Sequence, residues 1–343
     1  MLSPWARRWA SISRFAARTD SAVVSRSALK DRLLDPRTLI SFGILAVVLF
    51  VVLTHVQFDY GASLRAISQV NLLIYALAFA AFYFSFVVRT VRWEILLRNT
   101  GESNRFGELF HIVILAWFAN CVLPAKMGDF YRAYLLRQQT DVSASKGLGT
   151  IFSERALDFL VLMSLLVVSG LISFRASVPE RFVPAFIVGL VIAGGLIAGL
   201  LVVRYSDGRL SRYLPERLRD RASRFKHGLL SAFAGRLPLL LGLTVLVWMA
   251  ESTRLFLVVQ ALPLHVSLSL AQIMFIALVA SLLTTIPALP GGLVLVEGGI
   301  IAVLVFFGLT ASQALSVAIL DRLISYWSLI AVGLVVFLMS HRR

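Results

Sequence analysis

The stretch 120–158, NCVLPAKMGDFYRAYLLRQQTDVSASKGLGTIFSERALD, places Asn120, Pro124, Lys126, Gly128, Asp129, Arg132, Glu154, Arg155 and Asp158 between two apolar runs, 112–119 and 159–174. A charge at or inside a bilayer is costly and is usually kept for function. Proline and glycine also break helical hydrogen bonding there, which is tolerated only where protein or a water-filled cavity covers the backbone. The stretch is expected to form a re-entrant hairpin with its tip near Pro124, lined by Asp129 and gated by Arg155. Further on, Glu251 and Arg254 stand three apart inside an apolar run, Glu297 follows Pro290-Gly291-Gly292, and Asp321-Arg322 with Tyr326 lies in the last run. Guanidinium groups suit bidentate phosphate binding, so Arg92, Arg155, Arg254 and Arg322 are candidates for a phosphate headgroup. Asp129 and Glu297 suit a cationic headgroup or, because burial favours the neutral acid, carriage of a proton. For Glu154, Asp158 and Asp321, pairing with arginines across the bundle is an equal alternative.

The elements that must position these residues follow from composition. The chain has 343 residues, 59% hydrophobic and 15% charged, with a mean hydropathy of +0.85. That apolar share exceeds what soluble domains carry, and it indicates several membrane spans. The net charge of +15 is no sign of nucleic acid, because the basic residues cluster between apolar runs as cytoplasmic loops do. Cys121 is the one cysteine, and no metal-ligand or phosphate-loop motif occurs, so no cofactor or metal is expected.

Residues 1–38 carry eight basic residues and no apolar run long enough to span. They form a basic cytoplasmic segment, either an interfacial amphipathic helix or, more plainly, a tail that meets the anionic lipid surface. Spans are expected at 39–56, 71–91, 156–174, 184–203, 237–261 and 313–339. Arg89 and Arg92 share a helix face at the end of the second span; a snorkelling anchor is the plainer reading there, a phosphate clamp the functional one. The apolar arms 106–123 and 268–286 lead into hairpins near 106–139 and 268–308. The polar loop 204–236, with nine basic residues, separates a first membrane half, 39–203, from a second, 237–343.

The halves echo each other. Pro124 and Pro290 lie 166 residues apart, Arg155 and Arg322 167, and Arg92 and Arg254 162. The bias of basic residues puts both termini inside, so the repeats are inverted, an arrangement typical of transporters. The expected fold is an all-α polytopic membrane protein with about six spanning helices plus two re-entrant helical hairpins in inverted repeats. The second hairpin has an alternative in which 268–286 and 293–308 each span.

Four elements carry a resemblance to a known family: Asn120 with Leu123-Pro124, Gly128-Asp129 and Arg132; Glu154-Arg155 with Asp158; Pro287 with Pro290-Gly291-Gly292 and Glu297; and Asp321-Arg322 with Tyr326-Trp327. Together they resemble the lysylphosphatidylglycerol synthase transmembrane-region family, the flippase-like membrane domain of multiple peptide resistance factor proteins, over about residues 40–340. The resemblance implies movement of a lipid or amphiphile with a phosphate or cationic headgroup across the bacterial inner membrane. After the last span no aminoacyl-transferase domain follows, so a transporter is expected and not a synthase. Two alternatives stand beside it: a membrane-embedded enzyme acting on a lipid phosphate, and an accessory subunit of an envelope-lipid enzyme. A membrane lipid is the expected partner, with a homodimer or an envelope enzyme as further possibilities.

Overall fold

The computed structural model describes residues 59–123, 126–175, 179–180, 183–206, 215–264, 266–285 and 290–341. The basic segment 1–38, the first expected span, Pro124, Pro287 and the side chain of Pro290 lie outside them. Every regular element among the described residues is helical. In chain order these are α1 (Tyr60–Ser68), α2 (Leu72–Arg98), α3 (Phe106–Val122), α4 (Met127–Gln139), α5 (Ala144–Ser173), α6 (Val183–Tyr205), α7 (Glu216–Leu229), α8 (Leu237–Ala261), α9 (Leu270–Leu283), α10 (Leu295–Phe306), α11 (Ala311–Arg322) and α12 (Leu329–His341). A π-helical turn, Leu323–Ser328, joins the last two.

Among the described residues, five helical stretches are long and apolar enough to cross a membrane: α2, α5, Phe186–Tyr205 of α6, α8, and Ala311–Ser340. The protein is an all-α polytopic membrane protein. The pairs α3–α4 and α9–α10 have 17, 13, 14 and 12 residues. At a rise of about 1.5 Å per residue each helix is about 18–26 Å long, short of a hydrocarbon core of about 30 Å. The members of each pair pack against each other.

Two helix boundaries differ from expectation, and both matter for the site. Ser143 accepts a hydrogen bond from the Lys146 N–H and starts α5 well before residue 156. Glu154, Arg155 and Asp158 therefore lie inside a 30-residue helix and not in its first turn. Helix α2 likewise continues to Arg98, which leaves Arg89 and Arg92 buried in its body. Neither is a snorkelling anchor.

Helices α2 and α8 run antiparallel. The Asn71 N–H at the start of α2 donates to the Ala261 carbonyl at the end of α8 (2.8 Å), and Arg92 near the end of α2 donates to Thr244 near the start of α8 (2.8 Å). Helix α5 packs against α4, α8 and α9, and α12 packs against α3. The basic segment 204–236 is not all loop, because its helix α7 lies along α5.

Both breaks in the short helix pairs hold a non-glycine residue at positive φ. Lys126, immediately before α4, has φ +53°, and Val294, immediately before α10, has φ +68°. A side chain rarely adopts this region, least of all a β-branched one, so surrounding packing must hold both residues there. In the first break the Gly128 N–H donates to Asn120 Oδ1 (2.8 Å), and α4 passes so close to α3 that a Cβ at Gly128 would meet the Ala116 carbonyl. Gly128→Ala is expected to destabilise the protein by about 1–3 kcal/mol, the usual cost of overpacking. A lowered thermal unfolding midpoint in micelles would show it. Gly194→Ala, where the added methyl meets open space, should leave the midpoint unchanged or raised.

Candidate functional site

Each short helix pair presents one carboxylate to one arginine. Asp129 is the third residue of α4 and Glu297 the third of α10. Asp129 pairs with Arg155 of α5 (3.4 Å), and Glu297 pairs with Arg322 at the end of α11 (2.7 Å). The second Nη of Arg322 also donates to the Gly291 carbonyl (2.8 Å), which ties the break before α10 to α11. These two pairs are partly open: the side chains of Arg155, Asp129 and Glu297 are 30%, 20% and 27% exposed.

Behind them lies a closed network. Arg132 of α4 grips both oxygens of Glu154 (3.0 and 3.1 Å) while its guanidinium stacks 3.8 Å from the Trp93 ring. Arg92 bridges Glu154 (3.4 Å) and Asp158 (2.5 Å). Arg89 bridges Asp158 (4.0 Å) and Glu251 (3.2 Å), with Trp117 on its face at 4.7 Å. Arg254 joins Glu251 (3.3 Å) to Asp321. One chain of alternating charge thus runs from α4 through α5, α2 and α8 to α11. Removing two ions from water is offset only when geometry is good and further hydrogen bonds are made, and here nearly every ion has two partners.

The position of Arg89 against Glu251 has a further meaning. They are 162 residues apart, the offset that also relates Arg92 to Arg254. They meet across the antiparallel pair α2 and α8, where like charges would repel. One half carries the cation and the other the anion, so the meeting point becomes an ion pair.

A cavity of about 440 Å³ opens beside this network. Of the residues singled out by sequence, Asn120, Asp129, Arg155, Asp158, Glu251 and Arg254 line it, as do Gly291, Asp321, Arg322 and Tyr326. Arg92, Arg132 and Glu154 do not; they lie behind the wall and hold the lining residues in place. Gly292 and Glu297 also stand outside the lining. Asn120 acts as well on its own hairpin, as acceptor for Gly128. The two breaks meet on one side chain: Tyr326 donates to the Cys121 carbonyl (3.1 Å), and its ring fills the space that a Cβ of Gly291 would need. Gly291 has φ +59°, so glycine is required there twice over.

The sequence signals underrated three groups. Arg89 reads as a surface anchor, yet it is buried and faces the cavity. Trp117 and Trp248 were not singled out by sequence, yet both rings lie near Arg89. No spacing signal pointed to them, because Trp117, Trp248 and Arg89 stand on three different helices; an indole face stabilises a desolvated guanidinium once packing brings them together. Among the described residues no three His, Cys, Asp or Glu side chains converge as metal ligands would.

The model of the lysylphosphatidylglycerol synthase TM region matches residues 38–333. The chain belongs to this family. Relatives within reach are archaeal: an UPF0104 membrane protein of Methanocaldococcus jannaschii is 35% identical over 229 residues, 66% of this chain and 95% of the relative. A second UPF0104 membrane protein, of Methanothermobacter thermautotrophicus, is 24% identical over 91% of this chain and 96% of its own. Glycosyltransferase AglD of Haloferax volcanii is 26% identical over 174 residues, which is 50% of this chain and 25% of that enzyme. The family match takes in both short helix pairs and every member of the charge network.

Glu154 is fully enclosed and touches three arginines. Glu154→Gln leaves Arg132 and Arg92 each short of a counter-charge and is expected to cost about 3–5 kcal/mol, the range for breaking a buried pair. Chemical unfolding of the purified protein in mixed micelles measures this. A loss below about 1 kcal/mol, typical of an exposed pair, would mean that the network does not hold the fold together.

Proposed function

We propose that this protein moves an amphiphile with a charged headgroup from one leaflet to the other. The observation that carries the reading is the mixed wall of the cavity. Charged residues from both halves line it together with apolar ones, among them Phe152 and Ile192, which are 47% and 52% exposed. A headgroup crossing hydrocarbon unaided loses its hydration; fixed charges replace that water, and apolar walls continuous with the lipid-facing surface let the tails stay in the bilayer. The two partly exposed pairs, Asp129–Arg155 and Glu297–Arg322, are the ones a headgroup can reach and exchange with. The closed network keeps the frame rigid meanwhile.

Support for inverted repeats comes from matched positions. Lys126 and Val294, and likewise Asp129 and Glu297, stand 168 residues apart, and Arg155 and Arg322 stand 167 apart. Each hairpin acid meets the arginine of the long helix that follows it, and the equivalent helices α2 and α8 run antiparallel. In this reading the hairpins enter from opposite faces and meet at Tyr326, as broken helices do at a transporter's central site. We assign the cytoplasmic membrane of a prokaryote, without restriction to bacteria since the relatives above are archaeal, with the 204–236 segment and both termini inside. The likeness of half this chain to part of glycosyltransferase AglD favours a second reading, a membrane region that serves a catalytic partner.

In vesicles, the purified chain should move a fluorescent phospholipid between leaflets without altering it. Arg155→Lys and Arg322→Lys, which keep charge but lose the planar fork, should each slow movement by about tenfold or more, the effect of losing one charge-assisted hydrogen bond. Asp129→Asn combined with Glu297→Gln should stop it. Movement only when a partner protein is added would favour the second reading, and a chemically changed lipid would replace both with an enzyme. Orientation is checked separately with Ser223→Cys on the exposed face of α7, against a silent background because Cys121 is buried. Labelling of intact cells by an impermeant thiol reagent would overturn the topology.

A further inference from the structure

Within this same cavity, one cation stands apart. The network and the two hairpin pairs comprise six arginines (89, 92, 132, 155, 254 and 322) and six carboxylates (129, 154, 158, 251, 297 and 321). Six minus six leaves no charge. Lys126 also lines the cavity, and it makes no hydrogen bond or ion pair among the described residues. Its addition gives the site a formal charge of +1. Each carboxylate on the cavity wall already has a guanidinium within 4.0 Å.

Resting on the transport reading above, we propose that Lys126 is the residue that receives the headgroup, and that the headgroup is an anion of the phosphate class. Lys126 sits in the break between α3 and α4, outside the five spans, with its backbone held in the left-handed region at φ +53°. Burial pulls its ammonium down to about 8; Arg155 pushes the same way, while Asp129 and Asp158 oppose. A half-buried ammonium without a counter-ion is costly, and an incoming anion removes that cost. Among the described residues, the other buried polar atoms of the cavity wall without a hydrogen bond point the same way: the Nε atoms of Arg89 and Arg155 and Trp248 Nε1 carry N–H donors, and Ser325 Oγ can donate. Glu297 Oε2, an unpartnered acceptor, belongs to a residue outside the lining. A cationic headgroup would have to strip a carboxylate from its arginine and then sit beside Lys126.

The test is equilibrium binding to the full chain in detergent micelles, with short-chain phosphatidylglycerol as the anionic probe. Matched phosphatidylcholine and a trimethylammonium lipid serve as zwitterionic and cationic probes. Wild type should bind the anionic probe about tenfold more tightly than the cationic one, a difference of about 1.4 kcal/mol. Lys126→Gln should lower anionic binding to the level of phosphatidylcholine without lowering the unliganded melting temperature, and Lys126→Arg should restore most of it. Preference for the cationic probe, or unchanged anionic binding in Lys126→Gln, would overturn the proposal. Displacement of the lipid by equimolar inorganic phosphate would assign the site to the free ion and overturn the lipid source. Because binding is read without transport, anionic binding by a wild type that moves no lipid would count against the transport reading alone.

Discussion

The rest of the structure depends on the cost of charge in hydrocarbon. Twelve ionised side chains make up the network and the two hairpin pairs, and each would be expelled toward water if it stood alone. They stay because guanidinium and carboxylate alternate through the bundle, with Trp93 and Trp117 covering guanidinium faces. The pairing fixes how the helices sit. Arg132 reaches Glu154 only if α4 folds back onto α5, and Arg254 reaches Asp321 only if α8 lies against α11. Ion pairs of this kind contribute less to net stability than to selecting one arrangement, because any other register leaves a bare charge in a medium that cannot solvate it.

That constraint separates two tiers of polar residue. Arg92, Arg132 and Glu154 are fully enclosed, and they act as framework. Asp129 and Glu297 retain a share of exposure and sit just after the breaks in the short helix pairs, and Arg155, in the body of α5 opposite Asp129, is open to a similar degree. A ligand's charge can exchange with the second tier at modest cost, because part of the desolvation there is incomplete in the resting protein. Strain at Lys126 and Val294 lies in the same two breaks, so the least comfortable backbone adjoins the most reachable charge.

The short helices deserve the same physical reading. Twelve to seventeen residues cannot cross a bilayer, yet their ends expose unsatisfied backbone groups that hydrocarbon does not tolerate. Here side chains close those ends: Asn120 takes the Gly128 N–H, Arg322 takes the Gly291 carbonyl and Tyr326 takes the Cys121 carbonyl. The residues that seal the breaks therefore also line the cavity.

Membrane class, the long apolar helices and the two broken arms were legible in the chain, because hydropathy over a span and proline or glycine within it act locally. The near-constant offset between Arg155 and Arg322 was visible in the chain too; that each of them meets an acid of a short helix pair was not. Helix starts were less so: a serine at position 143, far from any apolar run, began α5 early and moved Glu154 to mid-helix. What sequence could not assign was partnership. Arg89 beside a helix end reads as an anchor, and only the antiparallel packing of α2 on α8 brings Glu251 to it from 162 residues away. Lys126 reads as one basic residue among 33 until the bundle closes and every neighbouring charge finds a mate. Composition decides that charges must be paired in lipid; tertiary structure decides which pair and which is left over, because ion pairing depends on distances of a few ångströms between segments that the chain keeps far apart.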